Sequence, residues 1–268
     1  MIIAVDTGGT KTLVASFAKS GKRDKETKFL TPVDVHEYIS QLVATIGDIA
    51  HGTEPSAICI ALPGTVRRDG MLVSARNLGW KEVDMKQLLI RHFACPIFVE
   101  NDANLGGVGA VRLIDDVPSR CLYVTVSTGI GTGMVVDGKL LGGLEQCEGG
   151  NIFLEHDGVT KRWEEFASGR AIHTTYKKYA RDITSKHVWN VISKNISAGL
   201  LALWPVLRPE MIIIGGSIGT YFERYGEHLN GMLREYLGYR APLVVQSPKP
   251  EEVVIYGCYY YALDRLAD

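Results

Sequence analysis

The sequence predicts an α/β fold, and two observations carry the prediction. Short apolar runs alternate with helix-like patterns along the chain. One plan also occurs twice: an apolar strand, a turn of Thr, Ser and Gly, then a second strand. Its copies are IIAVDTGGTKTLVASF (2–17) and LYVTVSTGIGTGMVVDG (122–138). A duplicated phosphate-binding hairpin would look like this, although two glycine turns also arise by chance in an α/β chain.

The elements follow in order. IIAV (2–5) and LVASF (13–17) read as strands joined by a tight glycine turn. Residues 35–50 carry a helical pattern. SAICIALP (56–63) is a buried strand that stops at a proline. PIFVEN (96–101) is another, and its end meets a helix, ANLGGVGAVRLI (103–114). CLYVTVS (121–127) is a strand, and GMVVDGKLLGG (133–143) is a hairpin with Asp137-Gly138 at its turn. Residues 163–207 are mainly helical. MIIIGG (211–216) is a strand running into a glycine turn and a helix, VVQS (244–247) is a short strand, and a last helix covers 251–266.

At 268 residues the chain suits one large domain or two modest lobes. Hydrophobic content of 46% and charged content of 22% are those of an ordinary globular protein. A formal net charge of −1 gives no reason to expect nucleic acid or a membrane surface as partner. The N-terminus lacks the basic region of a signal peptide, and no apolar run is long enough to span a bilayer. Five scattered cysteines (Cys59, Cys95, Cys121, Cys147 and Cys258) form no CxxC pair, so neither a disulfide scaffold nor a cysteine zinc site is expected. The expected compartment is the cytoplasm.

The glycine turns point to phosphate. Backbone amides cradle phosphate where no side chain blocks the approach, and glycine permits both that approach and the unusual φ values of a nest. Gly8, Gly9 and Thr10, followed by Lys11, form the first such turn. Gly129, Gly131 and Gly133 form the second, with Ser127, Thr128 and Thr132. A Walker loop needs GxxxxGK[ST] before a helix, and GGTKT has the wrong spacing. A dinucleotide fingerprint needs GxGxxG opening a helix, whereas strand-like MVV follows GIGTG. Both turns sit between strands. Either alone could be a plain hairpin turn; the pair, with Asp6 just ahead of the first, favours function. Asp6 suits Mg²⁺ held through water, or a turn cap, or both. Gly215 and Gly216 read as a nucleotide site or as an ordinary strand-to-helix turn, with Ser217 as a helix cap.

VENDAN (99–104) gathers polar groups where an apolar strand stops. Sites in α/β folds favour the carboxyl ends of strands. Phosphoryl transfer to a hydroxyl needs mostly positioning and charge neutralisation, plus one carboxylate to accept a proton. Asp102 is the candidate base and Asn101 a substrate partner. The bland alternative for Asp102 is a helix N-cap.

DTGGTKT, LPGTV, NLGW, VENDAN, STGIGTG and IIIGGS, in that order, resemble the ROK family of sugar kinases and sugar-responsive repressors, within the actin-like ATPase superfamily. The resemblance covers the chain from Met1 to about Ser217. It implies a two-lobed, ribonuclease H-like fold, with lobes at 1–105 and 106–250, the helix at 251–268 packing back on the first, and ATP and sugar in the cleft between them. It implies that Asp102 takes the proton of a sugar hydroxyl, usually the 6-hydroxyl. It assigns Gly64, Asn77, Asn101, Glu148 and Glu164 to the sugar, and a homodimer is expected. Many members carry Glu-x-Gly-His before a cysteine-rich zinc loop. Here the segment is Glu148-Gly149-Gly150-Asn151, and residues 152–165 contain no cysteine. No zinc is therefore expected, Asn151 takes the histidine's place on the sugar side, and what supports Glu148 is left open. The family's repressors carry an N-terminal helix-turn-helix; none is expected here, because the sequence opens on its first strand. The expected activity is thus an ATP- and Mg²⁺-dependent sugar kinase. The alternatives are a polyphosphate-dependent glucokinase, a non-catalytic sugar or nucleotide sensor, and an actin-like ATPase driving a partner.

Overall fold

The computed structural model describes residues 1–267. The chain divides into two compact units, residues 1–109 with the C-terminal residues from 254 onward, and residues 110–253.

The first unit opens with β1 (Ile2–Thr7), β2 (Lys11–Phe17) and β3 (Arg23–Leu30), an antiparallel meander. Helix α1 (Val35–Ala50) follows. Asp34 caps it by accepting from the amides of His36 and Glu37, and left-handed His51 (φ 48°) ends it. Next come β4 (Ala57–Leu62), a small antiparallel sheet of β5 (Thr65–Val66), β6 (Met71–Ala75) and β7 (Trp80–Asp84), then α2 (Met85–Leu89), β8 (Ile97–Asn101) and α3 (Asp102–Arg112). The main sheet runs β3-β2-β1-β4-β8, with β1, β4 and β8 parallel. Its centre is covered on both faces, which is why β1 and β4 are continuous apolar runs. Ile3, Val5, Ile58 and Ile60 pack with Tyr38, Leu42 and Ile46 of α1. The alternate residues Ile2, Ala4, Cys59 and Ala61 pack with Leu105 of α3 and with Ile255, Cys258 and Tyr259 near the C-terminus.

The second unit repeats the plan. It contains β9 (Arg120–Val126), β10 (Ile130–Val136), β11 (Lys139–Leu140), the hairpin β12 (Phe153–His156) and β13 (Val159–Arg162), α4 (Trp163–Ala167), α5 (Gly169–Tyr176), α6 (Lys186–Leu207), β14 (Met211–Gly215), α7 (Gly216–Gly219), α8 (Gly226–Leu237) and β15 (Leu243–Gln246). Helix α9 (Val253–Ala267) then returns the chain to the first unit. The sheet order β11-β10-β9-β14-β15 matches that of the first unit strand for strand: an antiparallel meander of three, then two parallel additions. Leu122, Val124, Ile212 and Ile214 form one core with Trp163, Ile196, Leu200 and Leu229. The repeat read from the two glycine hairpins is therefore a repeat of whole sheets. No helix among the described residues is long and apolar enough to cross a membrane.

Candidate active site

In the first unit the turn at 8–10 is closed by the amide of Gly8 donating to Lys11 O at 3.0 Å. Thr31, which the sequence did not single out, holds it from the side. Its hydroxyl donates to Gly8 O at 2.8 Å and lies 2.9 Å from Thr12 Oγ1, while its amide donates to Thr10 O at 3.0 Å. Thr10 and Lys11 are exposed beside it.

The nest expectation needs correcting. None of Gly8, Gly9, Gly129 and Gly131 has a left-handed φ. Close approach is what these turns require. A Cβ on Gly8 would lie 2.9 Å from Lys11 O, one on Gly9 3.3 Å from Asn77 Cβ, and one on Gly129 2.8 Å from Glu164 Oε2. The first turn is thus brought against exposed Asn77, which sits in the turn between β6 and β7.

At the start of α3, Asn101 Oδ1 accepts from the amides of Ala103 (2.8 Å) and Asn104 (3.0 Å). Asn101 is therefore the helix cap, the role that competed with catalysis for its neighbour. Asp102 is the first residue of α3, its Oδ1 sharing the amide hydrogen of Ala103 at 2.8 Å. Asn101 Nδ2 donates to Gly64 O at 2.8 Å. Gly64 has φ +95°, and a Cβ there would lie 2.1 Å from Ser74 O, so no other residue fits. Glu100 and Asn104, the other polar members of the segment, are core residues bonded to each other at 3.0 Å.

Asp6, at the end of β1, has its carboxyl pushed up to about 7 by burial and, less strongly, by the negative charge of Asp102. Two carboxylates that repel each other in a partly dry setting suit a hard cation with oxygen ligands. Among the described residues no group of three or more His, Cys, Asp or Glu converges as a complete metal cage. A strand-end carboxylate is the kind of oxygen donor that Mg²⁺ takes one or two of, together with phosphates and water.

In the second unit the turn after β9 carries exposed Thr128 with Gly129, and Gly131 lies just beyond it in β10. It is tied to α5 by the amide of Gly169, which donates to Ser127 O at 2.6 Å. Gly215 ends β14 and Gly216 begins α7. Gly216 has φ +76°. A Cβ on Gly215 would fall 2.1 Å from the Tyr123 hydroxyl, so packing against β9 by itself accounts for this glycine. Ser217 does not cap α7; its hydroxyl lies 3.3 Å from Ser127 Oγ.

The sugar-side candidates of this unit form one cluster. Glu148 precedes a 3₁₀ turn, Gly149–Asn151, pinned to β10 by the amide of Gly149 donating to Thr132 Oγ1 at 3.0 Å. Asn151 Nδ2 donates to Glu148 Oε2. Arg162, which carries no sequence motif, reaches Asn151 Oδ1 (3.4 Å) and Glu164 Oε1 (3.6 Å) through Nη1. His156 stacks on Phe166 with ring centroids 4.3 Å apart.

A twice-used strand plan, glycine turns of close approach and a carboxylate at a strand end define the actin-like class. The chain belongs to the ROK family, whose sequence model matches residues 2–251. A glucokinase of Thermotoga maritima is 28% identical over 99% of this chain and 98% of its own length. A xylose repressor of Bacillus subtilis is 24% identical over 75% of this chain and 56% of its own. The crystal structure of a ROK family glucokinase from Streptomyces griseus, in complex with glucose and AMPPNP, superposes with a TM-score of 0.82 over 98% of this chain and 99% of that one, at 22% identity. The fold is thus that of the family.

Proposed function

We propose that this chain is an ATP-dependent carbohydrate kinase that moves the γ-phosphoryl group of ATP to a hydroxyl, the 6-hydroxyl, of a hexose or amino sugar. The observation that carries the reading is the start of α3. Asn101 takes the cap and Asp102 stands beside it at the end of a strand, next in charge to Asp6. A carboxylate so placed accepts the hydroxyl proton as the sugar oxygen bonds to phosphorus and the bond to the β-phosphate oxygen breaks.

The remaining roles follow the clusters. Gly64, Asn77 and Asn101 in the first unit, with Glu148, Asn151 and Glu164 in the second, are the sugar's partners. Asn101 also keeps Gly64 in place. Carboxylates and amides suit paired hydroxyl donors. Gly8, Gly9, Thr10 and Lys11, with Thr128, Gly129 and Gly131, receive phosphate, and Gly215 and Gly216 lie along the nucleoside. Asp6 is the residue that would hold Mg²⁺, which when bound neutralises phosphate charge. The active species in this reading is a cytoplasmic homodimer, the commonest oligomer.

A coupled ADP-release assay over a panel of hexoses and amino sugars, with ATP and polyphosphate side by side, tests the reading. Sugar-dependent ADP release is expected. Sugar binding by calorimetry with no turnover on any sugar would point to a sensor, and sugar-independent hydrolysis to a partner-driving ATPase.

A further inference from the structure

We infer that Arg162 is the positioning residue of the sugar half-site in the second unit, and that it acts on Glu148 through Asn151. The inference rests on the carbohydrate kinase reading.

The guanidinium is first fixed by its own helix. The amide of Arg162 donates to Glu165 Oε2 at 2.7 Å, closing the start of α4. Its Nε and Nη2 face the same carboxylate at 3.4 Å each. A two-point grip on a planar fork sets the plane of the group, which a single-point ammonium cannot reproduce. Nη1 is thereby directed at two acceptors, Asn151 Oδ1 at 3.4 Å and Glu164 Oε1 at 3.6 Å. The amide of Asn151 is then oriented: with its oxygen toward Arg162, its nitrogen donates to Glu148 Oε2. The 3₁₀ turn between them is packed closely against β10: a Cβ on Gly150 would lie 2.0 Å from Ile130 O, and the amide of Gly149 donates to Thr132 Oγ1. One arginine thus sets the orientation of two carboxylates assigned to sugar hydroxyls. It fills the supporting role for Glu148 that the sequence left open. Asn151 is mainly a link in this chain, with its oxygen and one N–H already engaged.

The test compares wild type with Arg162→Ala, Arg162→Lys, Asn151→Ala and the Arg162→Ala/Asn151→Ala double variant. Sugar KM, ATP KM, kcat and calorimetric sugar affinity are read for each. Residues that orient metal ligands are typically worth about 10- to 100-fold, and the same scale is expected for a residue that orients sugar-binding carboxylates. Sugar KM is therefore expected to rise at least ~10-fold in both arginine variants, with ATP KM within about twofold of wild type. The double variant is expected to be no worse than about twofold beyond the worse single, because the two residues act in series. The backbone half of the helix closure survives either substitution. If the alanine variant unfolds, the lysine variant, which keeps stem and charge, carries the test. Sugar KM unchanged in an active enzyme, or equal losses for sugar and ATP, overturns the role of Arg162 and leaves the kinase reading standing. A wild type that neither binds nor phosphorylates any sugar overturns both.

Discussion

Asp6 makes the stability of the ligand-free protein depend on pH. Its carboxyl is raised from 3.8 to about 7, first by burial and then by Asp102. Between those values the folded chain holds a proton that the unfolded chain has released. Stability therefore falls as pH rises from about 4 to about 7, and is flat in this respect above 7. Each tenfold step in proton affinity is ~1.4 kcal/mol, so the whole effect is about 4 kcal/mol. Asp6 keeps part of its surface open, which makes that figure an upper bound. Asp6→Asn removes the titration. Urea denaturation of ligand-free wild type and variant at pH 5 and pH 8 reads the difference, and the seven histidines, common to both proteins, cancel in the comparison. The variant is expected to be the more stable at pH 8, by up to about 4 kcal/mol, with the gap closing toward pH 5. The same variant should lose Mg²⁺-dependent turnover, so stability and activity move in opposite directions. Parallel pH profiles for the two proteins would show that Asp6 does not titrate with a raised pKa in the folded chain.

Two further substitutions probe the turns. Thr31→Val removes the hydroxyl bond to Gly8 O and the contact with Thr12 but keeps the amide bond to Thr10. At ~0.5–1.5 kcal/mol for a hydrogen bond, steady-state kinetics should show ATP KM rising roughly 2- to 10-fold while sugar KM stays. Gly215→Ala drives a methyl into the Tyr123 hydroxyl and should destabilise by about 1–3 kcal/mol in thermal unfolding. Adding Tyr123→Phe should recover only part of this, because the ring carbon Cζ is 2.7 Å from the same position.

What the sequence made legible, and what it hid, follows from where the signal sits. β1, β4, β9 and β14 are buried on both faces, and their apolar runs announce them. β3 reads RDKETKFL and is almost wholly exposed; its strand character comes from pairing with β2, which no local pattern records. The β12–β13 hairpin did carry a local signal, Asp157-Gly158 with both φ positive, but its polar flanks masked it. At the site, Asn101 and Asp102 are both good cap residues, so local propensity could not divide the roles. The bond from Asn101 to Gly64, distant in sequence, contributes to the choice. Thr31 was invisible because it matters through Gly8 and Thr12, some way back along the chain, and Arg162 because it belongs to no motif and its role comes from how the β12–β13 hairpin returns to Asn151.

Asp102 is proposed as the base of a phosphoryl transfer to sugar. The most direct measurement is kcat for Asp102→Asn with ATP and the best sugar found, together with calorimetric binding of both. A fall of roughly 10²–10⁴-fold in kcat, with both ligands still bound, is the predicted result. Near wild-type kcat in that variant would contradict it.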